Sequence, residues 1–252
     1  KCVQCYTGDY SVCTGGGRIL LGCQGEYFVV PYGDINCAKV PDGVSDEQAI
    51  LATDIMSTGF GAIERAEAKI GDSVAIFAQG PIGLCTTAGA RARGAGLIIT
   101  TESVPERIEA SKKFGANVVI NPQEKDPVSE ILSLTGGQGV DVAVEAVGLQ
   151  VTFEAATRVV RRGGTVSSVG VYGLLPQVAM ATTAPSFLHR KIVATLCPSG
   201  HDRLVHLLDI VKHGKVDLSA LFTHRMKLAQ TPEAYDLFRS KRDGVLKIAL
   251  TP

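Results

Sequence analysis

Between Asp72 and Thr195 the chain alternates short β-branched runs with longer amphipathic stretches, and no other feature restricts its fold as strongly. The strand-like runs are Ser73–Phe77, Leu97–Thr101, Asn117–Ile120, Asp141–Glu145, Thr165–Val169 and Ile192–Thr195. Stretches between them, such as Pro105 to Phe114, Asp126 to Leu134 and Leu149 to Val160, carry apolar residues three and four apart. They close on Gly115, Gly136-Gly137 and Gly163-Gly164. These stretches read as crossover helices. Strands that are apolar along their whole length are buried on both faces, so the pattern predicts an α/β domain: a doubly wound parallel sheet of six strands with right-handed crossovers.

Composition agrees. Of 252 residues, 45% are hydrophobic and 20% charged, which excludes disorder. Twenty-five basic residues balance twenty-five acidic ones, so no net field exists to grip nucleic acid or an anionic membrane surface. No run approaches the roughly 18 to 20 apolar residues of a membrane span, and Lys1 to Cys13 has no signal-peptide core; we expect a cytoplasmic protein. The flanks differ from the middle. Lys1 to about Thr53 is rich in Gly, Cys and Tyr, with Glu26–Pro31 as its clearest strand. After Pro198-Ser199-Gly200 come an amphipathic helix, Asp202 to His213, and a strand, Val245–Leu250. One complete dinucleotide-type domain is thus expected between two pieces of a second, incomplete one.

The run Ser73–Phe77 leads through Ala78-Gln79-Gly80-Pro81-Ile82-Gly83 into an Ala-rich helix, the place of a dinucleotide-binding turn. Gly80 lets backbone approach a pyrophosphate, Gly83 lets the helix pack on the sheet, and the helix N-terminus offers N–H donors and positive dipole. The first glycine of the fingerprint is replaced by Ala78, and a glycine-rich turn can be only a turn. Leu97–Thr101 ends at Glu102, near the separation of roughly 20 residues expected for an acid that binds the adenine ribose and repels a 2′-phosphate, favouring NAD. The alternative is a helix N-terminal acid acting with Ser103. Arg107 either stacks on adenine or pairs with Glu102 or Glu106. The strand ends Ala146-Val147-Gly148 and Gly170-Val171-Tyr172 are small enough for a flat nicotinamide to lie against backbone, or are plain glycine turns.

Seven cysteines are too few and odd for a disulfide scaffold, and Cys2, Cys5 and Cys13 crowd together with metal-like spacing. A closed tetrahedral zinc site needs a fourth ligand: Cys23, or one preceding Lys1. Asp54, flanked by apolar residues, reads by itself as a helix N-cap.

Together, Cys2-x2-Cys5-x7-Cys13, Gly25-Glu26-Tyr27, Asp54-x3-Thr58-Gly59-Phe60, Gln79-Gly80-Pro81-Ile82-Gly83, Glu102 and Pro198-Ser199-Gly200 resemble the zinc-dependent medium-chain alcohol dehydrogenases, in their secondary-alcohol and formaldehyde dehydrogenase branch. The resemblance covers nearly the whole chain. It implies a Rossmann domain at 55–197, part of a mainly-β GroES-like catalytic domain with the structural zinc lobe at 1–54, and a return segment at 198–252. It implies Asp54 as a catalytic zinc ligand, Thr58 beside the nicotinamide, Lys247 reaching the pyrophosphate, and Leu196 and Cys197 lining the alcohol site. Lys247 can equally be an ordinary strand-edge lysine. The remaining catalytic ligands of the family pattern would precede Lys1, so the chain is expected to be incomplete and, alone, inactive. None of the five histidines matches a family motif; they are expected at the surface or in packing.

The implied reaction is reversible hydride transfer between a small primary or secondary alcohol and NAD, giving an aldehyde or ketone, with zinc polarising the alcohol oxygen. The family pairs nucleotide domains edge to edge, so Ile192–Thr195 is a candidate edge of a homodimer or homotetramer. A non-catalytic NAD-binding or regulatory fragment is the competing reading. A zinc-free quinone or enoyl reductase is a third, opposed by the cysteines and Glu102.

Overall fold

The computed structural model describes residues 2–15, 22–173, 177–180 and 189–252. They form two compact units: Lys1–Ser57 with Leu196–Pro252, and Thr58–Thr195.

The Thr58–Thr195 unit is the predicted sheet. Six parallel strands, β1 (Ser73–Phe77), β2 (Leu97–Thr101), β3 (Val118–Ile120), β4 (Val140–Glu145), β5 (Val160–Ser168) and β6 (Lys191–Ala194), lie in the order β3-β2-β1-β4-β5-β6. In chain order the described helices are α1 (Val3–Tyr6), α2 (Gly33–Asn36), α3 (Asp46–Thr53), α4 (Ile55–Arg65), α5 (Pro81–Ala92), α6 (Pro105–Phe114), α7 (Pro127–Leu134), α8 (Gln150–Val159), α9 (His201–Lys212) and α10 (Thr231–Ser240). Alternate residues of one strand feed opposite faces. Val74 and Ile76 pack with Ala62, Ile63 and Ala66 of α4 and its end and with Ala90 of α5, whereas Ala75 and Phe77 pack with Ile131 of α7 and Phe153 and Ala156 of α8. Coverage on both faces is why these strands are apolar throughout.

Chain reversal between β1 and β4 puts a switch point at the carboxyl ends, where Phe77 sits in register with Thr101 on one side and Glu145 on the other. β5 begins earlier than the predicted Thr165. Val160 already pairs with Val140, and Arg161–Gly164 then bulges outward before Thr165 meets Val142. β6 lies at the sheet edge, as expected of the last strand.

The other unit contains β7 (Phe222–Lys227) and β8 (Lys247–Thr251), paired in parallel and connected through α10. A capping box starts α3: the Ser45 hydroxyl accepts from the Gln48 N–H (3.2 Å) and the Gln48 side chain accepts from the Ser45 N–H (3.0 Å). The expected strand Glu26–Pro31 is a correction, because this segment pairs with no strand among the described residues. Tyr27 and Val29 are 92% and 86% exposed, so the β-favouring residues there have no partner face to bury against. Among the described residues no helix is long and apolar enough to cross a membrane.

At the amino ends of the strands, Asp141 accepts from the Ser73 N–H (2.8 Å), the Ser73 hydroxyl (2.7 Å) and Arg161 Nε (2.6 Å), joining β1, β4 and β5. Burial opposes the charge, but the Ser73 donors and the Arg161 guanidinium outweigh it and hold the carboxyl below the usual carboxylate range. A depressed carboxyl contributes stability above its unfolded value of about 3.9 and loses it as pH falls through the folded value. Asp141→Asn is therefore expected to cost about 1–3 kcal/mol in urea unfolding at neutral pH. The gap from the parent should shrink below about pH 4; a gap independent of pH would show that the charge contributes nothing.

Candidate functional site

β1 turns into α5 within three residues, and the tightness of that turn shapes the site. Ala78 takes φ +70°, the left-handed region where the fingerprint has its first glycine. Four bonds hold it there. The Ala78 N–H donates to the Thr101 hydroxyl (3.1 Å), the Gln79 N–H to Glu102 Oε2 (3.0 Å), the Gln79 side-chain amide to the Ala78 carbonyl (2.9 Å), and the Thr87 hydroxyl to Gln79 Oε1 (2.8 Å). Gln79 and Thr87 are fully buried. The two glycines meet different surroundings. A Cβ on Gly83 would overlap the Ala78 carbonyl, whereas one on Gly80 would meet only Arg107 Nη1, at 4.0 Å, so the Gly80 face is open to a ligand. Pro81 and Ile82 open α5, whose N-terminus points its dipole at that face.

Glu102 is 8% exposed at the tip of β2. Its Oε1 accepts from the N–H groups of Ser103 (2.8 Å) and Val104 (3.0 Å), the two residues that lead into α6. Oε2 takes one bond, from Gln79, and lies 3.9 Å from Arg107 Nη1. Arg107 thus pairs with Glu102 and also faces the turn. Its Nε is buried without a hydrogen-bond partner among the described residues.

Across the switch point, Glu145 ends β4 fully buried. It accepts from the N–H groups of Val147 (2.9 Å) and Gly148 (2.8 Å) and from the hydroxyls of Thr152 (2.7 Å) and Tyr172 (2.9 Å). Burial, with the adjacent carboxylate, pushes the Tyr172 phenol up to about 12, against the effect of the Ser168 hydroxyl, so it stays a donor at neutral pH. The turns Ala146–Gly148 and Gly170–Tyr172 touch backbone to backbone: a Cβ on Gly170 would overlap the Gly148 N–H, and one on Gly148 the Val171 carbonyl. Val171 is 81% exposed. Thr58 is buried on α4, and its neighbour Gly59 admits α5, since a Cβ there would come 2.7 Å from Cys85 Cβ and the Thr86 nitrogen.

In the other unit the sulfurs of Cys2, Cys5 and Cys13 lie 3.3, 3.6 and 3.7 Å apart. Tetrahedral thiolates about 2.3 Å from zinc sit about 3.8 Å from one another, so the cluster fits the ion. The backbone N–H groups of Cys5 and Thr14 lower the Cys2 thiol to about 5, toward the thiolate that a metal requires. Cys23 is exposed and outside the cluster, which removes it as the fourth ligand in this arrangement. Asp54, exposed, follows the last residue of α3. The Cys197 thiol lies 3.8 Å from the Asp54 carbonyl and 3.7 Å from that of Thr53, so the candidate ligand and the candidate substrate wall adjoin. Leu196 is 60% exposed, and Lys247 opens β8 half-buried. Asp54 belongs to no group of three potential metal ligands among the described residues, so alone it does not make a metal site.

Sequence reasoning missed Thr101, Thr87 and Glu145. For Glu145 a signal existed: an acid closing an otherwise buried strand just ahead of a glycine. Ala78→Gly is expected to stabilise the protein by up to about 1 kcal/mol, relief of the left-handed strain exceeding the added freedom of the unfolded chain. Gly83→Ala should destabilise it severely. Thermal melts check both, and a neutral Gly83→Ala would sink the packing argument.

The sequence profile of the family described as zinc-binding dehydrogenase matches residues 81–212. An alcohol dehydrogenase of Cupriavidus necator is 47% identical over 251 residues, 99% of this chain and 69% of its own length. The NADP-dependent isopropanol dehydrogenase of Thermoanaerobacter brockii is 36% identical over 230 residues, 90% of this chain and 65% of that protein. Among solved structures, alcohol dehydrogenase TADH from Thermus sp. ATN1 superposes with a TM-score of 0.90 at 32% identity, covering all of this chain and 73% of that one. With that profile and these relatives in agreement with the switch-point turn, the chain belongs to the zinc-binding dehydrogenase family of alcohol dehydrogenases.

Proposed function

We propose that this chain serves a zinc-dependent alcohol dehydrogenase that exchanges hydride between a small primary or secondary alcohol and NAD. The observation that carries the reading is the phosphate turn: an open Gly80 face at the N-terminus of α5, with Glu102 beside it. The pyrophosphate takes the α5 N–H groups and dipole. The adenine ribose lies against Glu102 Oε2, and Arg107 covers the same side. The nicotinamide lies over Ala146–Gly148 and Gly170–Val171, with Thr58 beside it. Asp54 is the metal ligand this chain brings to the alcohol, and Leu196 and Cys197 line that pocket. Bound zinc supplies Lewis acidity to the alcohol oxygen. Zinc at Cys2, Cys5 and Cys13 is structural.

Four of the relatives' names specify NADP, but a carboxylate at the β2 tip favours NAD, because a 2′-phosphate placed near Oε2 would meet like charge. The partner is a second copy joined along β6, an outer strand whose Ile192 is 43% exposed and whose Lys191 pairs with Glu67 at 2.6 Å.

Nicotinamide fluorescence titrations test the cofactor. NADH should bind at least about tenfold tighter than NADPH, a difference of about 1.4 kcal/mol. Glu102→Gln, which removes the charge while keeping the shape, should narrow that ratio. An unchanged ratio would remove Glu102 from cofactor selection. NAD reduction by a small secondary alcohol, measured on the full protein and absent in a chelator-treated sample, tests the reaction.

A further inference from the structure

Glu145 is a buried acid that the reaction does not use. Its position is costly, since a charge withdrawn from water must be repaid by hydrogen bonds, and an apolar pair would join β4 to β5 at less expense. The carboxylate does something an apolar pair cannot. Oε1 gathers the N–H groups of Val147 and Gly148 and the Thr152 hydroxyl, and Oε2 takes the Tyr172 hydroxyl, with the Ser168 hydroxyl 3.4 Å away and 2.7 Å from that of Tyr172. One oxygen therefore fixes the turn after β4 and the other fixes the turn after β5.

We infer that Glu145 is the positioning residue of the nicotinamide half of the cofactor cleft, setting the height of the Ala146–Gly148 turn against the Gly170–Tyr172 turn. The inference rests on the cofactor reading above. Glu145 lies in register with Phe77 and Ser168 in the row of strand ends, and Phe77 separates it from Thr101, next to Glu102. A ligand spanning the switch point places its phosphates at Gly80, so its two ends fall on opposite sides of that row. Gly148 and Gly170 already touch, and a Cβ on Gly170 would also overlap Glu145 Oε2; the surface above them is backbone whose level the carboxylate determines. A ring laid on that surface responds to small shifts in it, whereas the adenosine end does not touch it.

ADP-ribose, which keeps the adenosine and phosphates and lacks the nicotinamide, separates positioning from folding. Titrations of NADH and ADP-ribose are made on the full protein and on Tyr172→Phe, Thr152→Val and Glu145→Gln, with a thermal melt for each. The first two variants remove one donor each and leave the buried carboxylate hydrogen-bonded, so they keep the test open if Glu145→Gln does not fold. Each single-donor variant should weaken NADH about fivefold, the worth of one hydrogen bond, while ADP-ribose changes by less than about twofold. Equal losses for both ligands, or no loss for either in a folded variant, would overturn the inference. A parent protein that binds neither ligand would overturn the cofactor reading itself, and with it this role for Glu145.

Discussion

The chain must leave β1 and enter α5 within three residues, and much of the nucleotide unit is arranged around that reversal. Helix α5 can sit on the sheet only if residue 83 has no side chain, because the Ala78 carbonyl occupies the space. Ala78 itself lies in the left-handed region, a conformation costing about 1–2 kcal/mol for an L-residue. The strain is met by neighbours from three elements: Thr101 and Glu102 at the end of β2, Thr87 from α5, and Gln79 within the turn. The acid expected to select the ribose is therefore also part of the brace, which ties ligand choice to local stability.

Much of this was legible in the sequence. Continuous apolar strands and helices with capping residues follow from short-range physics, so Pro105–Phe114 and Pro127–Leu134, the latter capped by Asp126, emerged with their observed bounds or within a residue of them. Glu26–Pro31 misled because strand-favouring residues make a strand only where another strand offers its edge. The start of β5 was hidden for a related reason: Val160 pairs across a bulge that local sequence presents as a helix end followed by glycines.

At the site, glycines and a tip acid could be placed because their spacing along the chain is fixed by the turn itself. Bonds made across strands could not. Nothing local announces that Thr101 caps Ala78 or that Tyr172 reaches back to Glu145, 27 positions earlier. The thiol cluster was legible because its sulfurs come from within twelve residues, whereas any role for Asp54 depends on what surrounds it and was drawn from family resemblance alone.

β4 carries an acid at each end, four residues apart, and the two ends obey different rules. Asp141 ties strand beginnings on the side remote from the switch point, with Ser73 and Arg161 as partners. Glu145 ties the turns on the ligand side. For protein engineering the two ends therefore answer to different demands, stability at Asp141 and turn geometry at Glu145. Changes near Asp141 can be traded against thermal tolerance elsewhere in the molecule, while drift at Glu145 is constrained jointly with Thr152, Ser168 and Tyr172, so these four positions are expected to evolve as a set.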